Sequence, residues 1–216
     1  MVKGRRDQVV LASKFGIKAN WKARLLGPVK PAVRLIKGMR SRPDGKASAP
    51  AHTPWSGADR FHDRISLDAR EMRKSLEETL GALGTDYLDY FFIHEPTASL
   101  SHLDELSEAA LRLKQEGKIR AFGLAYNRLQ QDLHAPYLSR FDLLQFDNSP
   151  GAAGYEATTR ERAGKANIFF SPLRGGRSDL SPAEKLVTLN RDYPRSVILC
   201  SMFKEEHIRM NARLFY

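Results

Sequence analysis

The sequence predicts an α/β protein in which helices cover a parallel sheet. Short apolar runs alternate with amphipathic stretches along the chain, the order that strands joined by crossover helices produce. Polar residues recur where successive runs end. No Gly-x-Gly-x-x-Gly follows any run, which counts against a dinucleotide-binding open sheet, although periodicity alone leaves an open sheet and a closed barrel both standing.

The first strand is expected over Gln8 to Lys14. Residues 17–61 then read as one basic insertion rich in Pro, Gly, Ser and Ala. Ser41-Arg-Pro-Asp-Gly-Lys and Ser48-Ala-Pro-Ala-His-Thr-Pro within it are turn chemistry, with room for a short helix from Lys30 to Arg40. Ser66 to Leu83 is the clearest helix. Ala69, Met72, Leu76, Leu80 and Leu83 recur at steps of three and four, Asp68 with Glu71 offers a capping box, and Gly84 stands where a left-handed cap belongs. A strand over residues 87–93 ends at His94-Glu-Pro96. A helix over residues 102–115 follows, with Leu103, Leu106, Ala110 and Leu113 on one face and Gly117 closing it. The alternation continues with strands at 121–125, 143–146, 168–171 and 196–201. Helices are expected near 128–138 and 155–163, from Ser181-Pro-Ala-Glu184 with its capping box, and from Lys204 to Leu214.

With 42% apolar residues the 216-residue chain has the material for one buried core, so a single domain over 1–216 is expected. No apolar run reaches membrane-spanning length and the N-terminus lacks a signal core. Cys200 is the one cysteine, which rules out an internal disulfide. These features point to a soluble, cytoplasmic protein. The net charge of +10 is concentrated: residues 1–46 carry thirteen Lys and Arg against Asp7 and Asp44. Such a block reads as a solvated basic face or, alternatively, as a polyanion site; with only Phe15 and Trp21 interleaved it makes a poor nucleic-acid surface.

In α/β folds active residues gather at the C-terminal ends of strands. Lys14, His94, Tyr126, Asn127, Gln145, Asn148, Ser171, Arg174 and Ser201 all hold that position. His94 follows a fully apolar strand end, where an imidazole is placed to donate a hydrogen bond to a carbonyl; otherwise it is a core histidine bonded to backbone. Lys14 is either a snorkelling cation or a charge that lowers a neighbour's pKa. The glycine-rich Ser171-Pro-Leu-Arg-Gly-Gly176 offers amides and Arg174 to a pyrophosphate, or is a plain turn.

In order, Arg5-Arg-Asp-Gln-Val-Val-Leu-Ala-Ser-Lys-Phe-Gly16, Ser75-Leu-Glu-Glu-Thr-Leu-Gly-Ala-Leu-Gly-Thr-Asp-Tyr-Leu-Asp-Tyr-Phe-Phe-Ile-His-Glu-Pro96, Gly117-Lys-Ile-Arg-Ala-Phe-Gly-Leu-Ala125, Leu144-Gln145, Phe170-Ser-Pro-Leu-Arg-Gly-Gly176 and the stretch from Val197 to Asn211 resemble the aldo-keto reductase family. The resemblance covers nearly all of the chain outside the 17–61 insertion. It implies a (β/α)8 TIM barrel of aldo-keto reductase type with strands three to eight present and the first two βα units missing. It also implies nicotinamide-dependent reduction of an aldehyde or ketone, with NADPH the expected cofactor and NADH left open. Lys14 and His94 would fill two catalytic places. Gln145, Ser171, Leu173, Arg174, Gly176, Ser201, His207 and Asn211 would face the cofactor, and no metal is implied.

The family's catalytic Asp and Tyr belong to a segment before the third strand and are absent from this chain. The chain departs from the family elsewhere too. Ala125-Tyr126 stands for the usual Ser-Asn, Asn148 for an aromatic residue, and His207 for an arginine. Tyr126 is the one substitute proton donor the sequence offers. Six strands do not close an eight-stranded barrel, so open edges are expected, and with them a surface on which copies can assemble. Two alternatives stand beside the enzyme: a degenerate protein that binds nicotinamide or regulates without turnover, and a polyanion binder acting through the basic N-terminal block. A small carbonyl compound is the expected partner; no membrane is.

Overall fold

The computed structural model describes residues 4–20 and 62–215. The chain forms two compact units, one of Met1–Phe15 with Leu67–Tyr216 and one of Gly16–Ser66. Strand β1 (Ala12–Phe15) belongs to the larger unit, while β2 (Ile17–Ala19) and β3 (His62–Arg64) belong to the smaller. The larger unit continues with α1 (Ala69–Leu83), β4 (Leu88–His94), α2 (Leu103–Gln115), β5 (Ile119–Ala125), α3 (Gln131–His134), β6 (Leu143–Asp147), α4 (Tyr155–Arg162), β7 (Asn167–Phe170), α5 (Pro182–Asp192), β8 (Val197–Ile198) and α6 (Glu205–Ala212).

Strand–helix alternation yields the expected parallel sheet, in the order β1-β4-β5-β6-β7-β8. Its register fixes which side chains share a face. Lys14 lies beside Phe92, Phe92 beside Gly123 and Gly123 beside Leu143; His94 lies beside Ala125, Ala125 beside Gln145 and Gln145 beside Ile168. Because side chains alternate along a strand, these residues form one face of the sheet. Phe92, Ala125, Leu143 and Ile168 pack there as a compact apolar layer with Tyr90 and Ala121 against it. Phe15, Phe91, Ile93, Leu124, Leu144, Phe146 and Phe169 point the other way and join Met72, Leu76, Leu106, Leu113 and Leu189 of the helices in the main core.

The caps form where the residue types place them. The Asp68 carboxylate accepts from the Glu71 amide, and Gly84 closes α1 at φ 64°. At α5 both halves of the Ser181/Glu184 capping box are present.

Four elements differ from expectation. The first strand starts at Ala12 rather than Gln8, because a side chain takes over the pairing: buried Asp89 accepts from the Leu11 amide and from the Arg6 guanidinium, both at 2.8 Å, and residues 6–8 form a 3-10 turn. The insertion is not loop from its first residue. Ile17–Ala19 pairs antiparallel with His62–Arg64, so its two ends are zipped together, with Asn20 donating to Asp63. The helix expected over Lys30 to Arg40, and most of the basic block, lie outside the described residues. The helix expected at 128–138 breaks into 3-10, α and 3-10 pieces around Pro136, which has no N–H to continue the ladder. Strand β8 spans two residues. Leu199 still donates to Phe169, after which the chain leaves the sheet.

Gly123 shows how tight the inner layer is. A Cβ there would stand 2.5 Å from the Phe92 ring and 2.7 Å from the Leu143 carbonyl oxygen. Gly123→Ala is therefore expected to cost about 1–3 kcal/mol through overpacking, read as a lowered urea midpoint. An unchanged midpoint would show that the layer yields.

Candidate active site

Three of the sequence-nominated side chains meet at one end of the inner face. Lys14 stands in the Phe92 layer, and His94 and Gln145 flank Ala125 one layer further along. Strand geometry puts the Lys14 and His94 backbones about 8 Å apart, within reach for a lysine. Burial lowers the Lys14 pKa below the ordinary lysine value, while the negative charge of Glu95 acts in the opposite sense. Glu95 holds a left-handed backbone at φ 45°, and its amide donates to the Ala125 carbonyl at 2.7 Å. Such a conformation in a non-glycine residue costs about 1–3 kcal/mol and concentrates at functional sites. In the sequence the one signal for Glu95 is its adjacency to His94.

A groove of about 590 Å³ opens at the same end of the sheet, where β7 and β8 run out. It is lined by Phe170, Ser171, Pro172, Leu173, Arg174, Leu199, Cys200 and Ser201, which brings together Ser171, Leu173, Arg174 and Ser201. Ser171 is left-handed at φ 53°, and its carbonyl accepts from the Arg174 amide. Gly176, His207 and Asn211 do not line the groove. Gly176, at φ 67°, packs against the Pro150 carbonyl. His207 is exposed on α6, and the Asn211 amide contacts the Met202 sulfur at 3.1 Å. Cys200 lines the groove unforeseen, its thiol pushed up by burial. Among the described residues no group of His, Cys, Asp and Glu is set to hold a metal ion, and no helix is long and apolar enough to cross a membrane.

Two side-chain networks, the first of them buried, brace the loops around this end. The Tyr137 hydroxyl bonds His134 Nδ1 at 2.6 Å and accepts from the Leu100 amide at 3.2 Å, tying down the loop that follows His94. Burial lowers the His134 pKa, opposed by the Pro96 carbonyl. Arg128 donates to Asn148 Oδ1 and the Gly154 carbonyl, both at 2.5 Å, and also to Thr158, bracing the loop after β6. Tyr137→Phe leaves a buried imidazole nitrogen and an amide without their partner. The expected loss is about 1–3 kcal/mol in urea denaturation, and a loss within error would mean that water replaces the hydroxyl.

Tyr126 is no stand-in for a proton donor. It follows the inward-facing Ala125, so it points to the helix side, where its ring stacks on Phe146 at 5.5 Å and contacts His134. Burial pushes its pKa up to about 12, away from what an acid at neutral pH needs.

Residues 2–134 match the model of the Aldo/keto reductase family. The chain belongs to this family. Over 58 residues, 27% of the chain, it is 41% identical to the oxidoreductase YdhF of Escherichia coli strain K12, a stretch that spans only 19% of YdhF. The aldo-keto reductase AKR11C1 of Bacillus halodurans, solved in its holo form, matches with TM-score 0.63 and 16% identity over 99% of this chain and 69% of its own. An aldo-keto reductase of Klebsiella pneumoniae, solved in complex with NADPH, matches with TM-score 0.51 and 21% identity over 67% of this chain and 59% of its own. These structural likenesses establish the fold: the six parallel strands with their helices are part of a barrel of aldo-keto reductase type.

Proposed function

We propose that this aldo/keto reductase is a nicotinamide-dependent oxidoreductase acting on an aldehyde or ketone. The observation that carries the reading is the register, which sets Lys14, His94 and Gln145 at one end of the inner face, beside the groove at the ends of β7 and β8. The groove suits a dinucleotide. Its volume lies in the usual range for small-molecule sites, about 300–1,000 Å³, and it joins an apolar wall to an arginine and a turn rich in left-handed residues. Ser171, Leu173, Arg174 and Ser201 would hold the cofactor, whose chemical contribution when bound is hydride transfer. His94 is placed to donate a hydrogen bond to a carbonyl oxygen. The Lys14 cation favours negative charge developing on that oxygen, and more strongly for being partly desolvated. NADPH is the cofactor proposed, in keeping with the Klebsiella pneumoniae neighbour solved with NADPH; Arg174 would meet the pyrophosphate, which NADH shares.

One observation favours a second reading, cofactor binding without turnover. Among the described tyrosines none offers its hydroxyl to the Lys14–His94 end. Tyr87 lies under the Arg6 and Arg120 guanidiniums, Tyr137 bonds His134, Tyr155 bonds Asp192, and Tyr193 bonds Thr159. Tyr126 faces the helices, and Tyr90, on the inner face one layer below Lys14 and two below His94, packs edge-on against Phe92. Loss of a general acid typically costs roughly 10²–10⁴-fold in rate. Fluorescence titration with NADPH followed by carbonyl-dependent loss of NADPH absorbance separates the readings. Saturable binding with turnover supports the enzyme, binding alone supports the second reading, and no binding removes both.

A further inference from the structure

Lys185 has no place in the chemistry above, yet its position is costly three times over. It is 7% exposed, an unusual burial for an ammonium group. It lies in the first turns of α5, where a cation opposes the helix dipole. It also falls on the apolar stripe of Leu186, Leu189 and Tyr193, at a position where an aliphatic residue would serve the core better.

The Lys185 ammonium donates to the Gly175 carbonyl at 2.7 Å, and the Ser149 hydroxyl approaches the same oxygen at 3.4 Å. Gly175 and Gly176 are both left-handed, at φ 69° and φ 67°. Two adjacent glycines allow the peptide between them to flip cheaply, exchanging the directions of its C=O and N–H. An anion-binding turn works only if its carbonyls face away from the anion. Lys185 and Gly175 both lie off the groove wall, so the ammonium holds the turn from behind the residues that line it. The peptide is trans, so with its carbonyl held by Lys185 its N–H is turned away from the ammonium.

We propose that Lys185 is a positioning residue for the dinucleotide phosphates. By holding the Gly175 carbonyl it locks the peptide against that flip and fixes the 171–176 turn whose first residues line the groove. The proposal rests on the cofactor-binding reading above.

The test compares wild type, Lys185→Met and Lys185→Arg by NADPH titration and by amide hydrogen exchange across residues 172–177 without cofactor. Lys185→Met is expected to weaken NADPH binding about tenfold, the size of one lost hydrogen bond to a charged group. Its exchange should quicken at 172–177 and not in the sheet, and Lys185→Arg should recover most of both effects. Unchanged NADPH affinity in Lys185→Met overturns the proposal and leaves the cofactor reading intact. Exchange that quickens equally through β4 to β7 also overturns it, because the lysine then serves the fold at large. Wild-type protein that does not bind NADPH removes the reading and the proposal together.

Discussion

Lys14→Met is expected to cut carbonyl-dependent NADPH oxidation roughly 10²–10⁴-fold while making the protein harder to unfold. The loss follows from the site. In the proposed reaction Lys14, on the inner face beside His94, is the cation whose field would favour charge on a carbonyl oxygen. A fall of roughly 10²–10⁴-fold is the size such a contribution reaches. The gain in stability follows from the same burial. Desolvation, partly offset by Glu95, holds the folded Lys14 pKa below the ordinary lysine value. Between those two pKa values the unfolded chain binds more protons than the folded one, so stability rises with pH across that window. Below the folded pKa the penalty is present in full. Methionine keeps the stem and discards the charge. The variant should therefore melt above wild type below the folded pKa, with the difference shrinking as pH rises from there towards the ordinary lysine value. Thermal melts across that range check the sign; a variant that melts lower below the folded pKa would show that the lysine is a net stabiliser held by its acidic neighbour.

Much of this arrangement is legible in the sequence. Helix ends are, because Asp68, Gly84 and the Ser181/Glu184 pair act within a few residues of themselves. The convergence of Lys14, His94 and Gln145 is, because strand ends in a parallel sheet share one side of the fold. Parity also held a warning about Tyr126: with Ala125 facing in, its successor must face out, but this becomes readable only once the register is known. The start of β1 was hidden because the Asp89 carboxylate, 78 residues from Leu11, replaces a ladder partner. Lys185 left a trace, a charge on an apolar stripe, but its partner lies across a turn and no periodicity reports it. The family motif nominated Gly176 as a cofactor neighbour, whereas its immediate contact is the backbone of Pro150.

That contact makes Gly176→Ala the second substitution of large effect. An L-residue at φ 67° carries about 1–2 kcal/mol of strain. The added Cβ would also stand 2.1 Å from the Pro150 carbonyl oxygen and 3.2 Å from the Ala152 amide, backbone atoms that a rotamer change cannot clear. The chain must move, and the 2.8 Å bond from the Arg177 amide to that same carbonyl moves with it. A total of about 2–4 kcal/mol is expected in urea denaturation, together with weakened NADPH binding, because the displaced segment is the end of the 171–176 turn. Gly175→Ala is the matched control. Gly175 is left-handed to the same degree, at φ 69°, but has nothing within 4 Å of its would-be Cβ, so it should cost the strain alone. The difference between the two variants measures how closely the turn is pressed onto the loop after β6. Equal losses would mean that glycine is needed at 176 for its backbone angle and not for the approach, and that the turn is held from the α5 side alone.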